Sequence, residues 1–153
     1  MFKGQKTGDL EKQLRRPDAE LAEYLVENRD ALADSERPFT VYMREMIRAK
    51  GLQQQDVFLQ AGVPERYGYK LISGEKHTLR RDVILRLTIA AGFDLDETQR
   101  ALKLYGLAPL YARDARDAAI IIAVNKAFRS VERTDEHLER YGFERLAACG
   151  EEE

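Results

Sequence analysis

Residues 52–97 read LQQQDVFLQAGVPERYGYKLISGEKHTLRRDVILRLTIAAGFDLDE, and the punctuation of this stretch decides the fold. Apolar residues recur at helical spacing, and a glycine closes each run. A short helix is expected from about Gln54 to Ala61, ending at Gly62. Pro64 suits the first turn of the next, because the N–H it lacks has no intrahelical partner there. That helix covers 64–73 and stops at Gly74. After a polar loop at 75–80, another helix spans about 81–91, with Val83, Ile84, Leu87 and Ala91 inward and Gly92 as its stop. Asp94, with Glu97 three residues on, has the form of a capping box and opens a helix that ends at Gly106.

The same grammar extends both ways. Upstream, Phe39, Tyr42, Met43, Met46 and Ile47 form the stripe of a helix that stops at Gly51. DSERP at 34–38 reads as a linker, and the first seventeen residues are polar and expected to be mobile. Between them Asp18 can cap a helix with the stripe Leu21, Tyr24, Leu25, Asn28 and Leu32. Downstream of Leu107-Ala108-Pro109-Leu110 a sixth helix holds the apolar run 118–124. A seventh starts at Ser130, carries Val131, Thr134, Leu138 and Tyr141 on one face, and stops at Gly142. Period-two alternation and Asn-Gly or Asp-Gly turns are missing, so the expected class is all-α. Four segments follow: a mobile stretch plus one helix at 1–37, the helical domain at 38–106, a helical extension at 107–146 and an acidic tail at 147–153.

Composition narrows the setting. Of 153 residues, 44% are hydrophobic and 34% charged, which is the balance of a globular chain. The longest apolar run is far short of the roughly 18–20 residues that span a bilayer, and the N-terminus has no apolar signal-peptide core. One cysteine, Cys149, allows no internal disulfide, so the cytoplasm is the expected compartment, without membrane contact. The net charge of −2 hides a division: 1–37 and 132–153 are acidic, whereas 38–131 hold 15 Lys/Arg against 10 Asp/Glu. A basic centre between acidic ends is compatible with nucleic-acid binding and also with ordinary solvated helices.

Chemistry-bearing constellations are few. His77 and His137 lie sixty residues apart with no cysteine or carboxylate at ligand spacing, so each reads as a surface histidine and no metal is expected. Cys149 has no basic neighbour to activate it. No glycine-rich loop follows a strand. Neither an enzyme nor a cofactor is expected.

The stretch 52–97 resembles the phage-repressor (Cro/cI-type, XRE-like) helix-turn-helix family. The resemblance rests on Gln53/Gln54 opening the second helix, Gly62-Val63 at the turn, and Leu71 before a Ser73-Gly74 stop. Lys76 in the loop and Ala90-Ala91-Gly92 closing the fourth helix complete it. It covers about 38–105 and implies a five-helix repressor-like helix-turn-helix domain, here with an N-terminal helix and a C-terminal pair. Two positions depart from the pattern. Where the family has a small residue in helix two and a β-branched one in helix three, this chain has Phe58 and Gly68. The pair reads as a volume exchange across one contact, the Phe58 ring filling the space of a side chain at 68. Its cost is a helical glycine, about 1 kcal/mol relative to alanine.

The resemblance implies a sequence-specific DNA-binding regulator, expected to repress, that lays helix 64–73 in the major groove. Gly68, Leu71 and Ile72 face inward and Tyr67 lies at the flank against Leu71. Glu65, Arg66, Tyr69 and Lys70 are the expected base-contacting residues, Arg66 foremost because its fork matches guanine O6 and N7. Gln53, Gln54, Tyr67, Ser73, Lys76, Thr78, Arg80 and Arg81 are the expected contacts to the phosphate backbone. The alternative is a protein-interaction adaptor on the same fold, using Tyr67, Tyr69 and Arg66, residue types common at interface hot spots.

Segment 109–128, PLYARDARDAAIIIAVNKAF, resembles helices appended to some bacterial regulators of this superfamily. A helix so apolar must be covered on several sides. Either it packs on the preceding domain, or it forms a homodimer interface that sets two recognition helices about 34 Å apart.

Overall fold

A computed structural model describes residues 37–149 and, ahead of them, only Lys12 and Arg15, both helical. The helix expected from Asp18 and the end of the acidic tail lie outside the described residues. From Pro38 on, seven helices follow: α1 (Pro38–Ala49), α2 (Gln54–Ala61), α3 (Glu65–Ser73), α4 (Arg81–Ala90), α5 (Leu95–Tyr105), α6 (Ala115–Asn125) and α7 (Val131–Arg140). The described residues contain no strand, so the class is all-α.

Four of the seven starts have a local cause. The capping box before α5 is complete: Glu97 N–H donates to Asp94 Oδ1 at 2.8 Å, and Asp94 N–H donates to Glu97 Oε1 at 2.9 Å. Asp114 caps α6 through the Asp117 amide, and Ser130 caps α7 through that of Arg133. Pro64 stands one place earlier than expected. Its ψ of 132° is extended, so it is the N-cap of α3, and its carbonyl accepts the first helical bond from Gly68 N–H at 2.8 Å.

The core is organised around α4, which touches α2, α5 and α7. Val83, Ile84 and Leu87 are buried as the stripe requires, and Leu85 and Ile89 are buried as well. These last two share a face one turn apart. Ile89 borders a cavity with Ala123, Val124 and Thr134 of the C-terminal helices, and α7 packs on α4, covering a side of α4 that periodicity alone leaves open. One apolar cluster joins Met43, Phe58, Leu71, Ile84 and Leu102 to Ile120, Leu138 and Leu146. The extension is thus packed on the domain, with Ile122 of α6 and Tyr141 after α7 left exposed.

Polar ties reinforce that packing. Arg86 of α4 donates from Nη1 to the Ala61 carbonyl at the end of α2. Its Nη2 and Nε reach the carbonyls of Leu146 and Ala147. His137 is buried, contrary to the surface expectation. Its Nε2 lies 3.0 Å from the Ala119 carbonyl oxygen, and its ring meets Phe128 and Tyr141 edge-on. The cause is tertiary: α7 lays this position against α6.

Candidate nucleic-acid interface

The exposed face of α3 is set by what its other face meets. Tyr67, Gly68, Leu71 and Ile72 are buried, and the Ile72 carbonyl accepts from Thr40 Oγ1 at 2.6 Å. At the turn between α2 and α3, Gly62 adopts φ of 69°, and Val63 N–H returns to the Phe58 carbonyl at 3.0 Å. This left-handed residue ends α2 and redirects the chain within three residues.

Phe58 and Gly68 form the anticipated contact. A Cβ on Gly68 would lie 2.5 Å from Cδ1 of the Phe58 ring and 2.7 Å from Cε1 and Cγ. The ring occupies the place of a side chain at 68, and it also meets the Tyr69 ring edge-on at 4.9 Å. Phe58 therefore fixes both the depth of α3 and the stance of Tyr69, which is 42% exposed.

Outward from α3, Glu65, Arg66 and Ser73 are exposed and Lys70 is half-buried. Arg66, Lys70 and Lys76 line one groove with Pro64 and Tyr67. Three cationic side chains therefore converge beside the helix, Lys70 also pairing with Glu75 at 3.5 Å. Glu65 is tied back to α2, accepting from Gln55 Nε2 at 3.3 Å. Ser73 is engaged at the helix end, donating to the Lys70 carbonyl and accepting from Glu75 N–H. At the opening of α2, Gln53 is exposed and Gln54 half-buried, and the Gln53 side chain makes no cap bond.

The loop after α3 is pinned from below. His77 stacks on Tyr105 at 4.5 Å, and Thr78 N–H donates to the Tyr105 hydroxyl at 2.9 Å. Thr78 itself is buried, its Oγ1 accepting from Arg80 N–H. Arg80 is exposed, and Leu79 is 85% exposed beside it.

Three of the expected backbone contacts are less open to a ligand than expected. Tyr67 borders the groove of Arg66, Lys70 and Lys76 but is itself buried, and the Thr78 side chain is used inside the loop. Arg81 turns toward the C-terminal extension, where it pairs with Asp117 and donates to the carbonyls of Ala108 and Pro109. Its neighbour Asp82 pairs with Arg116 through both carboxylate oxygens, at 3.2 and 3.0 Å. Two Arg-Asp dipeptides, 81–82 and 116–117, thus clasp reciprocally. Burial works against the charge on Arg116, but its hydrogen bonds and attraction to Asp82 prevail and raise its pKa. Nothing in the sequence singled out Leu79, and the partners of Arg81 lie 27–36 residues away, beyond any local pattern.

Compared with protein-family models, curated proteins and solved structures, the chain gives no match.

Proposed function

We propose that this chain is a sequence-specific DNA-binding regulator of the phage-repressor type, a repressor in the cytoplasm, that reads the major groove with α3. One observation carries the reading. Arg66, Lys70 and Lys76 converge on a single groove beside the outer face of a helix whose inner face is locked in the core. In the docking this reading requires, Arg66 forks onto guanine, giving about 1–3 kcal/mol of base discrimination. Lys76, Arg80 and the α2 opening at Gln53 and Gln54 face phosphates. The bond from Gln55 holds the Glu65 carboxylate on the protein's own amide, which eases its repulsion of the DNA backbone. A two-fold dimer would use the outward residues Ile122 and Tyr141 of the extension.

Fluorescence anisotropy of a labelled duplex, read from about 50 to 200 mM salt, tests this. Affinity should fall with a log–log slope near −0.9 per phosphate contact, and Lys76→Ala should make the slope shallower by about one contact. Salt-independent binding, or none at the lowest salt, would overturn it. The second reading, a protein partner, is favoured by Leu59 and Leu79, which are 76% and 85% exposed. A partner seated on these leucines would bind with little response to salt.

A further inference from the structure

On the side of the domain where the C-terminal helices meet α4 and α5, a cavity of about 160 Å³ opens. It has room for several waters, or for one compact organic molecule. Ile89, Phe93 and Val124 supply apolar walls, and Asp94, Asn125 and Arg129 supply the polar ones. Both signs of charge line it. Asp94 is a carboxylate, and the C-terminal turn of α6 adds the negative end of its dipole. Opposite in sign is Arg129, an exposed residue that also borders a neighbouring groove with Lys50 and Leu52, and whose guanidinium makes no hydrogen bond or ion pair among the described residues. Its stem lies over Gly92, with Cδ 3.6 Å from where a Cβ there would be.

The backbone that presents Arg129 is unusual. Ala127 and Arg129 have φ of 56° and 55°, the only left-handed residues other than glycine among those described. Both line the cavity. Two such residues within three positions are unfavourable in an unconstrained loop, and strain of this kind concentrates where a ligand is held. A glycine at either position would be more comfortable.

We propose that this cavity binds a small zwitterion of amino-acid size, with its carboxylate on the Arg129 fork and its ammonium between Asp94 and the carbonyl end of α6. The apolar walls admit a short aliphatic side chain. The site is independent of α3 and of any DNA. Because it is lined by α4 and the α4–α5 turn on one side and by the extension on the other, a bound ligand would brace one against the other.

L-Valine titrated into the ¹⁵N-labelled full chain provides the test, read by amide shifts. Shifts should appear at 89–94 and 123–129, with Kd from about 0.1 to 10 mM, as ligand efficiency allows for so few atoms. N-acetyl-L-valine and L-valinamide, each lacking one charge, should bind at least about tenfold more weakly. Arg129→Gly suits the backbone and keeps the fold, and Asp94→Asn keeps the cap while removing its charge. Each should weaken valine at least about tenfold. Unmoved resonances at 10 mM valine, or equal binding by Arg129→Gly, would overturn the site. Equal binding by Asp94→Asn together with N-acetyl-L-valine would overturn the zwitterion assignment.

Discussion

Gly68→Ile should destabilise the domain by about 1–3 kcal/mol, as overpacking does in a filled core. The added Cβ would stand 2.5 Å from a Phe58 ring that is fully buried and braced by Tyr69. Phe58→Ala alone should cost about 3–5 kcal/mol through lost burial and the cavity it leaves. Combined, the two should cost less than their sum by about 1–3 kcal/mol, because the isoleucine then fills the vacated space. Even Gly68→Ala, which gains about 1 kcal/mol of helix propensity, should lose stability overall, since its methyl meets the same ring. Urea unfolding of the four proteins measures the coupling. Strict additivity would mean that the ring and the glycine do not share one volume.

Arg81→Ala should be destabilising by about 3 kcal/mol, more than a surface arginine warrants. The asymmetry of burial decides this. The Asp117 side chain is 5% exposed, against 25% for Arg81. Removing the arginine leaves a buried carboxylate whose other contact is the Tyr111 N–H. Removing Asp117 frees an arginine that still reaches water and the carbonyls of Ala108 and Pro109, so Asp117→Ala should be milder. The double variant Arg81→Ala/Asp117→Ala should recover part of the loss, because no charge is then stranded. Thermal or urea unfolding checks all three. If Arg81→Ala left stability unchanged and only flattened the salt dependence of DNA binding, Arg81 would belong to the DNA face and not to the clasp.

What the residues disclosed follows the reach of their interactions. Helix ends were legible because their causes are local: Asp94 with Glu97, Ser130, and glycines at 62, 74, 92 and 106 act within four residues. The exchange of Phe58 and Gly68 was legible because two departures at one crossing imply each other. Leu85, Ile89 and His137 were not, because their burial comes from helices packed from elsewhere in the chain. The same limit applied at the candidate interface. Glu65, Arg66 and Tyr69 do lie on the exposed face, since helical spacing fixes the side on which a residue stands. Periodicity could not show that Thr78 serves its own loop, that Tyr67 sinks into the core, or that Arg81 answers Asp117.

Selection of bound fragments from a pool of random duplexes, run with wild type and Arg66→Ala side by side, is the most direct measurement of DNA reading by α3. Wild type should enrich a motif containing guanine, with half-sites about 34 Å apart if two chains bind together. Arg66→Ala should lose the preference at that guanine, a change of about 1–3 kcal/mol, while still binding DNA weakly. No enrichment over the input at low salt, or the same motif at the same strength from Arg66→Ala, would contradict it.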